Sequence, residues 1–183
     1  MGRVRIIGGA WRSRLLAVPR VAGLRPTPDR VRETLFNWLG QELSGRICLD
    51  LFAGSGALGF EAASRGASRV VMVEANARAY ARLKAHAAAL GATQVELHRG
   101  DGLEFLARDT RCFDVVFLDP PYASGYLERV LPRLPPRLAP DAFVYAESPE
   151  PFDPGEDWEI WRQDRAGQVC YRLLKRRMAP PHD

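Results

Sequence analysis

Hydrophobic positions along this 183-residue chain change period repeatedly, and each change marks an element. Before residue 28, Gly8-Gly9 and the stretch from Pro19 to Pro28 break the pattern into short extended pieces, which predicts a small hairpin of Arg3 to Ile7 and Leu15 to Val18. Val31, Leu35, Trp38 and Leu39 then recur at helical spacing. A helix is therefore expected from Pro28 to Leu39, capped by Thr27 or Asp29. After Gly45, strand and helix alternate. Ile47 to Phe52, Val70 to Val73, Val95 to His98, Phe113 to Leu118 and Phe143 to Ala146 read as strands. Helices are predicted at Ala57 to Arg65, Ala75 to Leu90 (closed by Gly91), Leu103 to Ala107 and Tyr126 to Leu134. Trp158 to Arg162 and Gln168 to Leu174 flank the turn Asp164-Arg165-Ala166-Gly167 and read as an antiparallel hairpin.

Short apolar strands separated by helices imply a mostly parallel sheet covered on both faces. The expected fold is α/β: a Rossmann-like, doubly wound sheet of seven strands, closed by a C-terminal antiparallel hairpin and preceded by a small N-terminal hairpin and helix. With 46% apolar residues the chain can bury a substantial core, and one domain over 1–183 is expected, with 1–45 as an extension and 46–178 as its core. No apolar run approaches the ~20 residues of a membrane span. The arginines near the N-terminus have no apolar segment behind them, so a cytoplasmic, non-membrane protein is expected. Cys48, Cys112 and Cys170 are too scattered for a disulfide framework or a zinc site and read as buried structural thiols; no metal is expected.

The net charge is +4, but residues 1–46 alone hold nine arginines against three acids. A basic leading segment on a near-neutral body suggests a polyanionic partner held at one end. Arg3, Arg5, Arg12, Arg14 and Arg20 are the expected phosphate contacts. Arg30 and Arg32 carry less weight, because they can pair with acids inside the domain. Lys175-Arg176-Arg177 can extend the same surface.

The segment with the most chemistry is Asp50-Leu51-Phe52-Ala53-Gly54-Ser55-Gly56-Ala57-Leu58-Gly59, which follows a strand and opens a helix. Gly54 and Gly56 allow a tight turn and close ligand approach, and Gly59 allows the helix to lie against the sheet. Gly54-x-Gly56-x-x-Gly59 also fits a dinucleotide fingerprint, with Glu74 where a ribose-binding acid belongs, so an NAD-binding oxidoreductase is an alternative. Two features favour S-adenosylmethionine (AdoMet). Asp50 before the loop would repel a pyrophosphate but suit a cationic ligand. Asp101, after the third strand of the alternating series, offers an acceptor for an adenine amine. Three acids at three successive strand ends suit an amino group, a ribose diol and an adenine.

Asp119-Pro120-Pro121-Tyr122 follows the fourth strand of that series, on the same rim. The prolines fix φ and remove two donors, leaving rigid carbonyls. The Asp119 carboxylate and the Pro120 carbonyl can each accept from an exocyclic amine, aligning its nitrogen for methylation, and Tyr122 offers a face for stacking. No histidine suggests a general base; His86, His98 and His182 read as packing or solvated groups. Asp119 can assist proton removal only if its pKa is raised.

Taken together, Arg5-Ile6-Ile7-Gly8-Gly9, the block Arg25-Pro26-Thr27-Pro28-Asp29-Arg30-Val31-Arg32-Glu33 with Leu35-Phe36-Asn37, the Asp50 to Gly59 loop, Asp119 to Tyr122 and Gly167-Gln168-Val169-Cys170-Tyr171-Arg172 resemble the RsmD family of 16S ribosomal RNA guanine-N2 methyltransferases. The resemblance spans nearly the whole chain, and the Arg25 to Asn37 block is its most specific part. It implies a class I AdoMet methyltransferase fold acting on a guanine of small-subunit RNA within a 30S particle or assembly intermediate. It implies AdoMet contacts from Thr27, Asp50, Phe52, Gly54, Ser55, Gly56, Glu74, Asp101 and Gly102, with Asp119, Pro120 and Tyr122 at the reacting amine. A monomer is expected. An aspartate at position 119 leaves adenine N6 open as acceptor, so a DNA adenine methyltransferase is the other alternative; the shortness of the N-terminal segment argues against it.

Overall fold

The computed structural model describes residues 2–121 and 125–178. Two strands, β1 (Gly2–Arg5) and β2 (Leu15–Val18), form the expected N-terminal hairpin, with Val4 paired to Leu16 on its buried side. Helix α1 follows over Asp29–Leu39. The main sheet is built from β3 (Ile47–Asp50), β4 (Arg69–Glu74), β5 (Val95–Arg99), β6 (Phe113–Leu118), β7 (Leu138–Ser148), β8 (Trp158–Ala166) and β9 (Val169–Arg176). Helices α2 (Ala57–Ser64), α3 (Ala77–Leu90), α4 (Gly102–Arg108) and α5 (Tyr126–Val130) connect them.

The strand order is β5-β4-β3-β6-β7-β9-β8. Strands β3 to β7 are parallel, and β9 inserts antiparallel between β7 and β8. Apart from the edge strand β5, the parallel strands are apolar through most of their length because both faces are covered. On one face, Cys48, Val70, Met72, Val115, Phe117 and Tyr145 meet residues of α1, α2 and the N-terminal hairpin. On the other, Leu49, Val71, Val116, Leu118 and Val144 meet Leu106, Val130 and Leu131. The chain leaves β3 in one lateral direction and β6 in the other. A doubly wound sheet opens a crevice at that switch point, between the glycine loop and Asp119.

Several boundaries depart from the hydrophobic pattern. Neither Thr27 nor Asp29 caps α1: Pro28 holds the cap position without a side-chain bond, and Asp29 is already helical and paired with Arg32. Helix α3 begins at Ala77, two residues later than the apolar pattern suggests, because Asn76 accepts the amides of Arg78 and Ala79 as its cap. The helix predicted to reach Leu134 ends at Val130, and Pro132, Pro135 and Pro136 confine the next residues to two 3-10 turns. Strand β7 runs for eleven residues, although its first half holds Pro140 and Asp141, because an irregularity between Phe113 and Val115 lets Leu138 pair as well. The C-terminal hairpin turns at Gly167-Gln168, and its strands extend to the Ala166–Val169 pair. Cys48 and Cys170 are buried; Cys112, in the turn before β6, is exposed and so is not a core thiol.

Candidate active site

The glycine loop takes the shape that its composition requires. Gly54 (φ 55°) and Gly56 (φ 83°) occupy left-handed backbone, and a Cβ on Gly54 would lie 2.7 Å from Leu24. Gly59 serves packing instead: a Cβ there would meet Met72 Cε at 2.8 Å and Asp50 Oδ2 at 3.0 Å. Ser55 is buried within the turn, its hydroxyl accepting the Ala57 amide at 3.3 Å.

The acids at the strand ends play unequal parts. The Asp50 carboxyl is buried beneath the loop, where Oδ2 accepts the Gly59 amide at 3.0 Å. Burial pushes its pKa up to about 7, against the opposing effect of that amide. Asp50 thus braces the loop from below. Glu74 braces it from the side: Oε2 accepts the Gly54 amide at 2.7 Å and Oε1 the Asn76 amide at 2.9 Å. Asp101 caps α4 through the amides of Leu103 and Glu104, and the Tyr126 hydroxyl donates to its Oδ2 at 3.0 Å. Gly102 follows, so tight against Leu51 that a Cβ would lie 2.9 Å from its Cγ. Phe52 tilts against Tyr126, ring centroids 5.3 Å apart. Loop glycines without room for side chains, with two partly open acids at the neighbouring strand ends, fit an elongated ligand bearing hydroxyl and amino groups.

Asp119 lies directly beyond β6, and buried Pro120 follows. The Thr27 hydroxyl, just ahead of α1, donates to Asp119 Oδ2 at 3.4 Å across a separation of 92 residues. The Asp119 pKa is raised well above the usual carboxylate range by burial first, then by the charges of Glu147 and Asp50, with the Thr27 bond acting the other way. Tyr122 and His182 lie outside the described residues. The structure therefore brings together Thr27, Asp50, the loop and Asp119 around one crevice, with Glu74 and Asp101 along the same rim. His86 and His98 stand elsewhere, His86 against the Ala17 carbonyl and His98 beside Glu96.

The N-terminal arginines are spread over the hairpin and the loops around it. Arg3, Arg12 and Arg20 are exposed. Arg5 makes a long 3.5 Å pair with Asp29, and Arg14 reaches the Ala89 carbonyl at 3.4 Å. Arg20 also lines a cleft of about 520 Å³ with Pro19 and with Arg78, Ala81, Arg82 and Ala85 of α3. Arg78 and Arg82 escape a charge count of the leading segment because they lie outside it; their spacing of four on one helix was the available signal.

Glu147 was also missed. It is the penultimate residue of β7, is buried, and accepts the Tyr145 hydroxyl at 2.8 Å. Leu118 pairs with Ala146, which sets Asp119 and Glu147 side by side. An acid closing an apolar strand is the same signal that marks Asp50 and Asp119. A narrow cleft of about 130 Å³ lies here, its lining including Pro120, Pro121, Tyr126, Glu147 and Phe152.

Comparison with known proteins agrees with this geometry. A family model described as "Conserved hypothetical protein 95" matches residues 4–175. Ribosomal RNA small subunit methyltransferase D of Escherichia coli (strain K12) is 44% identical over 181 residues, covering 96% of this chain and 91% of that protein. A solved Escherichia coli structure superposes with a TM-score of 0.87 at 44% identity, covering 96% of this chain and 98% of that one. An RNA methyltransferase from Salinibacter ruber, solved with S-adenosyl-L-homocysteine, shares the fold at a TM-score of 0.68 and 23% identity over 87% of this chain and 98% of its own. The sheet order and the antiparallel β9 are those of a class I methyltransferase, and the chain belongs to the ribosomal RNA small subunit methyltransferase D family.

Proposed function

We propose that this chain methylates the exocyclic N2 of a guanine in small-subunit ribosomal RNA, using AdoMet. The coarser part, methylation of ribosomal RNA, follows the function named for the family's relatives. The observation that carries the finer part is the Asp119 carboxyl, which lies beside Thr27 and level with the glycine loop, followed by Pro120, whose ring fixes the backbone that presents its carbonyl. AdoMet supplies a methyl group activated by its sulfonium charge. When it binds, Gly54, Ser55 and Gly56 would border its methionine end, Glu74 would accept from the ribose, and Asp101 with Gly102 and Phe52 would hold the adenine.

Asp119 and the Pro120 carbonyl accept the two hydrogens of the amine. This draws its lone pair out of the ring plane and directs it at the methyl carbon. Tyr122 stacks on the base. Once the nitrogen has gained the methyl group it loses a proton readily, and Asp119, with its raised pKa, is placed to take it in its ionised form. Arg3, Arg5, Arg12, Arg14 and Arg20 contact phosphates, joined by Arg78 and Arg82 across the basic cleft. The substrate is the protein-bound RNA of a 30S particle or assembly intermediate, and the enzyme acts as a monomer.

Radiolabelled AdoMet incubated with 30S particles lacking the modification tests this, followed by mass spectrometry of the nucleosides. The expected product is N2-methylguanosine. No label in the particles, or label on adenine, would reject the proposal.

A further inference from the structure

We propose that Glu147 reads the target base by accepting the ring N1–H next to the amine, selecting guanine over adenine. This rests on the amine-methylation reading above. It begins from register: Leu118 pairs with Ala146, so Asp119 and Glu147 leave neighbouring parallel strands at the same level and on the same face. Glu147 is 4% exposed and belongs to the lining of the cleft that holds Pro120 and Pro121. The Tyr145 hydroxyl donates to its Oε2 and holds it as an acceptor. A carboxylate can accept several hydrogen bonds at once.

Two carboxyl groups side by side in a poorly hydrated place are offset best by a donor-rich edge. Guanine presents N1–H and the N2 amine next to each other. Adenine presents its N6 amine beside an N1 lone pair, which would face the Glu147 carboxylate acceptor to acceptor. With Asp119 and Pro120 occupied by the amine, Glu147 stands where it can tell the two edges apart. No bond is made or broken in this step, and no proton moves.

The test uses 2-aminopurine, which keeps the 2-amino group but carries a lone pair at N1. The methylated guanine is first mapped on 30S RNA with wild-type protein, and the RNA is rebuilt with 2-aminopurine at that nucleotide. Wild type is expected to prefer guanine by about tenfold to a hundredfold. In Glu147→Gln, the amide can donate to N1, and the preference should shrink or invert. Glu147→Ala should lose the preference without gaining the analogue. Each ratio comes from a single preparation, so partial unfolding cancels, and a thermal shift with AdoMet checks that the cofactor still binds. If guanine is methylated and both variants keep the wild-type ratio, the role of Glu147 is overturned while the methylation reading stands. If wild type labels no guanine, both fall.

Discussion

Arg32 of α1 and Glu61 of α2 form an ion pair at 3.2 Å with both side chains shut off from solvent. Glu61 also accepts the amides of Ile7 and Gly8 and the Arg65 guanidinium, each at 2.9 Å. Arg32 in turn donates to the carbonyls of Arg5 and Thr27. One buried carboxylate thus ties the end of the hairpin to two helices, and its partner steadies the Thr27 segment that reaches Asp119. Breaking a buried pair by removing one partner leaves a charge uncompensated and costs about 3–5 kcal/mol. Glu61→Gln is therefore expected to lose stability on that scale in urea unfolding, with lower methyl transfer as Thr27 loosens. A loss under about 1 kcal/mol would mean that the network does not hold these elements.

The central parallel strands were legible because burial on both faces leaves a dense apolar run, and the glycine loop because its turn excludes side chains. Strand ends and caps were less legible. The α1 boundary depends on Arg32 drawing Asp29 into an ion pair, a tertiary contact that no local pattern carries. Arg32 reads from the sequence as a possible internal partner, and it is one; which acid it meets required the fold. The place of Glu147 beside Asp119 follows from the β6–β7 register, which joins segments far apart in the chain. Its acid was visible in the sequence, but its neighbour was not.

At Gly59 even one methyl group should force its neighbours to shift. A Cβ would meet the Met72 thioether and the Asp50 carboxyl at about van der Waals overlap, and Met72 is itself buried in the sheet. Inserting a methyl group into such a core costs about 1–3 kcal/mol. Because α2 opens on the glycine loop proposed to border AdoMet, Gly59→Ala is also expected to weaken AdoMet binding, measured by calorimetry. Unchanged affinity with reduced stability would separate packing from loop geometry.

The raised pKa values of Asp50 and Asp119 give pH effects of definite sign. An aspartate is expected near 3.9 in the unfolded chain. A raised folded pKa favours the fold fully below that value, and the contribution is lost as pH climbs, through about 7 for Asp50. Asp50→Asn keeps an acceptor for the Gly59 amide and removes the titration. Its melting temperature relative to wild type should therefore be more favourable at pH 8 than at pH 4. An equal difference at both would contradict the assignment.

For catalysis the sign runs the other way, since Asp119 must be ionised to accept a proton. The methylation rate should rise with pH along a limb above the ordinary carboxylate range. Glu147→Gln removes a negative neighbour and should move that limb to lower pH. Thr27→Val removes the hydroxyl that steadies the ionised form and should move it higher. A limb that stays in place in both variants would exclude Asp119 as its source.

The cleft between the hairpin side and α3 is lined by three arginines, and among the described residues none of the three has an ion-pair partner. Guanidinium groups held around a concavity without acids suit a phosphodiester backbone. If RNA runs through it, Arg78→Ala with Arg82→Ala should free about two phosphates from the protein. Binding would weaken at low salt, and the slope of log affinity against log salt would fall by about 0.7–0.9 per phosphate freed. Neither side chain reaches the acids of the crevice in any hydrogen bond or ion pair among the described residues, so AdoMet affinity and the rate at saturating RNA should hold while KM for RNA rises. A salt slope equal to that of wild type would place the RNA path elsewhere, over the hairpin arginines alone.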